Sequence, residues 1–223
     1  MDADQASSTR ELYERWAPTY LPTSHNPLMR VEQQAMIELW PEVAGRRALD
    51  LACGTGRYAR FLVAANAAQV FTLDLSTEML RHVSAGISVC ASMMQLPFVS
   101  DAFDIVISGL AVGHASSIDE WMLEVARVLA PDGVLLYSDF HPEAARAGLT
   151  RSFKDESGHS YSLPHHRHDI ATQRQAAAQA NLTIEMVKEV RVGMELQEPF
   201  PNSEEFYRRW HGLPLVLVVR ARK

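Results

Sequence analysis

Short apolar segments alternate with amphipathic segments from residue 48 onward, and this alternation predicts the fold. Five apolar segments have the length of buried strands: residues 49–52, 69–73, 87–91, 103–109 and 134–138. Three segments among them carry apolar residues at helical spacing: residues 58–66, 77–84 and 118–129. Strands and helices that alternate in this way favour a parallel sheet with helices packed on both faces.

The pattern differs on both sides of this alternating region. Before it, residues 7–17, which include Tyr13 and Trp16, and residues 28–39 have helical spacing, which predicts either a lid or a helical layer that only covers the sheet. After it, residues 139–168 are polar, rich in histidine and glycine, and show no period. Further on, we predict helices at 169–180 (with Asp169 as N-cap) and 203–210, and strands at 182–192 and 215–222. The short gap between these two strands favours an antiparallel pair.

Composition and charge exclude several classes of protein. The formal net charge of −6 argues against a general nucleic-acid binder, which would normally be basic. No apolar run approaches the ~18 residues of a membrane span, and the acidic N-terminal residues are unlike a targeting peptide. Cys53 and Cys90 have no metal or redox spacing. We therefore expect a cytoplasmic protein with two reduced thiols and no membrane association.

Residues 47–57 contain the most informative stretch, because a predicted strand there meets Gly54-Thr55-Gly56 and a predicted helix. The glycines let the backbone turn sharply and approach a ligand closely, and the helix directs unpaired N–H groups at that ligand. Asp74, at the end of the second strand, can accept hydrogen bonds from ribose hydroxyls. These features predict a nucleotide-type cofactor. The loose G-x-G-x-x-A pattern also fits dinucleotide-binding folds, so it does not identify the cofactor alone.

Several spaced motifs resemble the class I S-adenosylmethionine-dependent methyltransferases, in the branch of the ubiquinone/menaquinone and malonyl-carrier-protein enzymes. The matching segments are residues 13–20 (YERWAPTY), 49–56 (LDLACGTG), 73–80 (LDLSTEML), 96–98 with 103–106 (LPF and FDIV) and 126–133 (ARVLAPDG). The resemblance implies a Rossmann-like three-layer sandwich, with a seven-stranded mostly parallel sheet, one antiparallel C-terminal strand and an N-terminal helical lid. It implies a single domain over residues 1–223, with residues 1–40 as the lid and 139–168 as a substrate-side insert.

The resemblance also implies a role for individual residues toward S-adenosylmethionine. The residues implied to bind it are Tyr20, Asp50, Gly54, Gly56, Asp74, Leu75, Met79, Ser92, Met93, Gly109 and Leu110. Asp74 would hold the ribose hydroxyls, Asp50 would act near the amino group, and Gly109 and Leu110 would lie near the transferred methyl. At Ser92 the family commonly has an aspartate that binds the adenine amino group, so adenine recognition here would be weaker or would use a carbonyl or a water molecule instead.

The methyl acceptor is less well defined. Methyl transfer depends mainly on positioning, so no residue is obliged to act as a base. His114 and His141 follow predicted strands at the edge where such folds bind ligands, and they are our candidate catalytic residues. The histidines in the segment 159–168 match no metal-ligand spacing, so we expect no metal site. Arg151, Lys154 and Arg167 could receive an acidic substrate or could be solvated surface charges.

The leading functional prediction is a methyltransferase that acts on an O, N or C nucleophile of a small organic molecule and releases S-adenosylhomocysteine. The alternative acceptor is macromolecular or carrier-bound, such as tRNA or an acyl carrier protein, although the acidic composition does not favour it. Two further alternatives are a protein that keeps the fold and cofactor without methylation, and a nicotinamide-dependent oxidoreductase. We expect a monomer or homodimer.

Overall fold

The computed structural model describes residues 8–194 and 203–223. The strands are β1 (Arg47–Leu51), β2 (Gln69–Asp74), β3 (Ile87–Cys90), β4 (Phe103–Ser108), β5 (Leu129–Phe140), β6 (Ser152–Lys154), β7 (Ser160–Ser162), β8 (Thr183–Arg191) and β9 (Pro214–Arg222). The helices are α1 (Thr9–Trp16), α2 (Pro27–Glu38), α3 (Arg57–Ala64), α4 (Thr77–Arg81), α5 (Ile118–Val128), α6 (Pro142–Arg146), α7 (Ile170–Gln179) and α8 (Ser203–Trp210). The beginnings of the predicted lid and of its first helix lie outside the described residues.

Seven strands form one sheet in the order β3-β2-β1-β4-β5-β9-β8. The strands from β1 to β5 pair in parallel, whereas β9 is antiparallel to both of its neighbours, β5 and β8. The predicted fold class is therefore confirmed, including the single antiparallel strand near the C-terminus. The carboxyl ends of β1, β2, β4 and β5 meet at one edge of this sheet.

Apolar side chains cover both faces of the sheet. On one face α5 and α7 contribute to a cluster in which Trp121 and Tyr137 are fully buried, with ring centroids 5.4 Å apart. On the other face Met36 of α2 and Leu62 of α3 pack in a cluster with Ile107 of β4. Because helices cover both faces, the central strands are apolar on both sides rather than alternating, as parallel strands usually are.

The segment 139–168, which shows no period in the sequence, contains α6 and the β6–β7 hairpin. The hairpin packs against α1, where the rings of Phe153 and Trp16 stack with centroids 4.7 Å apart. Leu12 of α1 is buried in the same cluster as Phe153 and Leu163. The predicted lid and the predicted insert therefore contact each other directly.

The structure corrects two local predictions. β5 begins at Leu129 rather than at residue 134, because Leu129 pairs with Phe103 before an irregularity interrupts the ladder. The backbone of Asp132, within that irregularity, has a φ of 60°. Asp169 is the N-cap residue of α7 as predicted, but its side chain makes no capping hydrogen bond, since it pairs with Arg146 instead.

None of the helices in the described ranges combines the length and apolar character needed to cross a membrane.

Candidate functional site

The corner between β1 and α3 is built from residues in the left-handed backbone conformation. Ala52, Gly54 and Gly56 have φ values of 54°, 55° and 76°. L side chains rarely adopt this conformation, which accounts for the two glycines. A Cβ on Gly54 would meet Tyr20 at 4.0 Å, which is ordinary contact distance, so the backbone of Gly54 is open to a ligand.

Two carboxylates on neighbouring strands hold this corner in place. Asp74, at the end of β2, accepts hydrogen bonds from the N–H groups of Gly54 (2.8 Å) and Ser76 (2.9 Å). Asp50, in β1, accepts one from the N–H of Ala59 in the first turn of α3 (2.7 Å). Burial raises the pKa of both carboxyl groups, that of Asp50 to about 7. A cationic ligand group would favour the ionised form of Asp50, so this carboxyl is suited to bind one.

A cavity of about 230 Å³ lies in front of this corner. We call it the donor cavity. The predicted site residues that line it are Tyr20, Asp50, Gly54, Asp74, Leu75, Ser92, Met93, Gly109, Leu110 and His114. Ser92 uses its hydroxyl to accept a hydrogen bond from the N–H of Met94 at 3.1 Å. The structure thus brings most of the predicted residues together, although their contacts with a ligand stay predictions.

Three predicted residues lie outside the lining of the donor cavity. Gly56 faces the protein, since a Cβ there would approach Val83 to 3.1 Å. Met79 is fully buried in α4. His141 precedes α6, where its Nδ1 accepts the N–H of Glu143 at 3.1 Å. The binding roles of Gly56 and Met79 and the catalytic role of His141 stay predictions.

His114 lies between α1 and the donor cavity. Its Nε2 is 2.9 Å from the hydroxyl of Tyr13, and its Nδ1 is buried without a hydrogen-bond partner among the described residues. Burial lowers the pKa of His114 to about 3. Near neutral pH the imidazole is therefore uncharged, and a side chain with so low a pKa is a weak general base.

We expect His114→Gln to make the fold less sensitive to acid. As pH falls from 6.5 toward about 3, the unfolded chain protonates His114 while the folded chain does not, so stability is lost in this window. The loss is at most a few kcal/mol, at ~1.4 kcal/mol per pKa unit. Urea unfolding at neutral and at acidic pH measures it. The control is His82→Gln at an exposed position, which should lose as much stability on acidification as the wild type. An equally large loss in His114→Gln would contradict the lowered pKa of His114 in the folded chain.

A buried ion pair below the donor cavity was not predicted from the sequence. Glu32 of α2 is completely buried, and its Oε2 lies 2.7 Å from the guanidinium of Arg57. Its Oε1 accepts hydrogen bonds from the hydroxyls of Tyr58 (2.7 Å) and Ser138 (2.5 Å). Burial opposes the charge of Arg57, but pairing with Glu32 outweighs it and raises the pKa of the guanidinium. Since Arg57 and Tyr58 line the cavity, Glu32 supports its wall from behind.

The backbone of Leu110 is held from two sides. Its N–H donates to both the hydroxyl (2.9 Å) and the carbonyl (3.0 Å) of Ser138, and its carbonyl accepts from Nη1 of Arg151 at 2.9 Å. Leu110 has a φ of 57°, an unfavourable conformation that costs a non-glycine residue about 1–3 kcal/mol. These hydrogen bonds stabilise the chain in that conformation at the end of β4.

The buried Asp139 and the half-buried His165 form a second group near this point. The Nε2 of His165 lies 3.6 Å from Oδ2 of Asp139. Burial raises the pKa of Asp139 to about 7 and lowers that of His165 to about 4. Nowhere in residues 8–194 or 203–223 do three His, Cys, Asp or Glu side chains converge closely enough to hold a metal ion.

A second cavity, of about 570 Å³, adjoins the donor cavity. We call it the acceptor cavity. Tyr20, Leu110 and Arg151 line both cavities. The beginning of α2, residues 148–152 and α8 supply much of the remaining wall. Leu110, which is held by the hydrogen bonds described above, therefore lies at the border between the two cavities.

Comparison with known protein sequences agrees with the motifs. A methyltransferase domain family matches residues 49–137. A malonyl-[acyl-carrier protein] O-methyltransferase of Enterobacter lignolyticus is 36% identical over 141 residues, which cover 60% of this chain and 55% of that protein. A ubiquinone/menaquinone biosynthesis C-methyltransferase of Dinoroseobacter shibae is 31% identical over 137 residues, which cover 56% of this chain and 54% of that protein. The chain thus spans about half the length of these curated relatives.

The solved structures give the same result for the fold and cofactor class. The crystal structure of an S-adenosylmethionine-dependent methyltransferase from Mesorhizobium loti superimposes with a TM-score of 0.69 and 26% identity, covering 86% of this chain and 97% of that one. This chain therefore combines the matching sequence of residues 49–137 with the glycine corner, the carboxylate at the end of β2 and the strand order described above. Residues 49–137 therefore form a methyltransferase domain, and the chain is similar to the class I S-adenosylmethionine-dependent methyltransferases of the ubiquinone/menaquinone and malonyl-carrier-protein branch.

Proposed function

We propose that the chain transfers a methyl group from S-adenosylmethionine to an oxygen, nitrogen or carbon nucleophile of a small organic molecule, releasing S-adenosylhomocysteine. The border between the two cavities carries this proposal. Because Tyr20, Leu110 and Arg151 line both cavities, a donor in one and an acceptor in the other can meet beside Leu110. Displacement at a methyl group requires such a meeting, with reacting atoms about 3–3.5 Å apart.

The donor cavity offers groups that fit S-adenosylmethionine. A carboxylate has about four acceptor positions, so Asp74 can bind ribose hydroxyls in addition to the N–H groups of Gly54 and Ser76. Asp50 would pair with the cationic amino group, and Leu75 would offer apolar surface to the adenine. When bound, S-adenosylmethionine supplies a methyl group on a positively charged sulfur that a nucleophile can displace.

The chain would contribute mainly by positioning the two molecules and excluding water. Effective molarities of well-oriented reactants correspond to about 7–11 kcal/mol of the barrier. We assign the covering role to α1, as part of a lid in residues 1–40, and to the insert at 139–168. The stacked rings of Trp16 and Phe153 join these two segments. The weak basicity of His114 favours acceptors that need no strong base.

A carrier-bound acyl group is the second candidate acceptor. It is favoured by the relative named malonyl-[acyl-carrier protein] O-methyltransferase. Such an acceptor would have to reach the acceptor cavity on an extended arm while its carrier docked outside. The formal net charge of −6 does not favour the docking of an acidic carrier or tRNA.

Two measurements test the proposed function. By calorimetry we expect S-adenosylhomocysteine to bind and NAD, the control, not to bind; the reverse result would contradict the cofactor. The protein is then incubated with a whole-cell extract and radiolabelled S-adenosylmethionine, and the products are separated by size. Label in the small-molecule fraction supports the proposal, whereas label only in the macromolecular fraction supports the carrier-bound or RNA acceptor.

A further inference from the structure

The lining of the acceptor cavity combines apolar walls with positive charge. Leu28, Phe140, Leu149, Leu163, Trp210 and Leu215 are among the residues of its walls. The charged side chains that line it within the described parts of the chain are two arginines, Arg151 and Arg209, and no carboxylate. This is unusual for a chain with 27 acidic and 21 basic residues. The cavity is therefore suited to an organic anion with an apolar body.

Arg151 lies at the reactive end of this cavity. It lines both cavities, and one of its N–H groups donates to the carbonyl of Leu110 at 2.9 Å. A guanidinium has five donors, so further N–H groups can bind a carboxylate. None of the ion pairs found among residues 8–194 and 203–223 includes Arg151.

The other titratable groups around Arg151 do not neutralise it fully. The carboxyl of Asp139 on β5 is buried and interacts with Arg151 electrostatically, but its pKa of about 7 leaves it partly protonated near neutral pH. Burial raises the pKa of Tyr13 on α1, so its phenol is uncharged. His114 and His165, whose pKa values are lowered to about 3 and about 4, are uncharged as well. Positive charge therefore remains for a ligand.

Arg209 marks the solvent side of the cavity. It is exposed on α8, and its guanidinium lies 4.7 Å from the ring centroid of Trp210. An incoming anion meets this charge before it reaches the half-buried Arg151. Positive charge at the entrance of a binding cleft raises the rate of association with anions.

We propose that the acceptor cavity binds amphipathic organic acids, with the carboxylate on Arg151 beside Leu110 and the apolar body against the aromatic and aliphatic walls. This inference rests on the proposed function, because it requires the methyl donor in the adjoining cavity. In this position the carboxylate is itself the nucleophile. One of its oxygens bonds to the methyl carbon, the carbon–sulfur bond breaks with its electron pair remaining on sulfur, and the product is a methyl ester. An ionised carboxylate has no proton to lose, so no base takes part.

The experiment compares octanoate with octanol on the protein saturated with S-adenosylhomocysteine. Calorimetry should give an affinity for octanoate about tenfold to a hundredfold higher than for octanol, the range for a hydrogen bond to a charged group. Arg151→Gln should remove most of this difference, because glutamine keeps a donor for Leu110 but not the charge. Arg209→Gln should slow octanoate association, whereas Arg208→Gln, a neighbouring position on α8 that does not line the cavity, should leave it unchanged.

The possible failures are distinguishable. If S-adenosylhomocysteine does not bind, the proposed function fails, and with it this inference. If S-adenosylhomocysteine binds but octanoate binds no better than octanol, only the inference is overturned, and this wild-type comparison does not depend on the folding of any variant. The same calorimetric experiment is repeated with a malonyl thioester of an acyl carrier protein as the ligand. If this thioester binds and octanoate does not, the carboxylate that the cavity binds belongs to a carrier-bound group, and a free acid is excluded as the acceptor.

Discussion

Glu32→Gln should unfold at a markedly lower denaturant concentration than the wild type and should bind S-adenosylhomocysteine more weakly. The substitution leaves the guanidinium of Arg57, whose side chain is 8% exposed, without its anion. Removing one partner of a buried ion pair costs about 3–5 kcal/mol. Tyr58 and Ser138 also lose their shared charged acceptor, so the wall of the donor cavity and the support of Leu110 are both weakened.

Glu38→Gln provides a matched control, since Glu38 lies on the same helix but its side chain is 48% exposed, where it pairs with Lys188. Exposed ion pairs contribute about 0–1 kcal/mol, so this variant should unfold close to the wild type. Urea titration measures both variants, and calorimetry measures their affinity for S-adenosylhomocysteine. Equal midpoints for Glu32→Gln and Glu38→Gln would show that the buried network does not stabilise the fold.

Asp74→Ala should weaken S-adenosylhomocysteine binding by about 1–3 kcal/mol, the penalty for losing a charged hydrogen-bond partner. Two effects contribute. The ribose hydroxyls lose their acceptor, and the N–H of Gly54 loses the oxygen that now lies at 2.8 Å. Calorimetry at constant salt measures the change.

Asp104→Ala serves as the control for Asp74→Ala. Asp104 lies near the start of β4, away from the carboxyl edge, and pairs with Arg47. This variant should keep the affinity for S-adenosylhomocysteine. If folded Asp74→Ala kept the wild-type affinity for S-adenosylhomocysteine, Asp74 would have no role in binding the ribose hydroxyls.

The strands and helices between residues 47 and 128 follow from the sequence almost without change. Their apolar periodicity indicates which faces are buried. In addition, each helix–strand unit packs mainly against units that are its neighbours in the sequence. The left-handed positions at Gly54 and Gly56 could also be predicted, because glycine is the residue that tolerates them. The resemblance then identified the cofactor class, which the glycine pattern alone left open.

The structure around the acceptor cavity could not be predicted from the sequence in the same way. The β6–β7 hairpin is stabilised by Phe153 stacking on Trp16, a contact between residues far apart in the sequence that leaves no local period. The pairing of Glu32 with Ser138 likewise joins distant parts of the chain. A signal for Glu32 was nevertheless present: it occupies a buried position on the face of α2 that also buries Met29 and Met36. A charged residue at such a position must have a partner, because an isolated buried charge is costly.

The position of β9 between β5 and β8 has a consequence for biosynthesis. Among the strands that the structure describes, β8 pairs with β9 alone, and β9 follows it in the chain. As the polypeptide emerges from the ribosome, residues 183–191 can therefore join the sheet only after residues 214–222 have also left the exit tunnel. During that interval an unpaired edge of β5 and the apolar positions of β8 are exposed together, which makes a paused nascent chain prone to aggregate at this point.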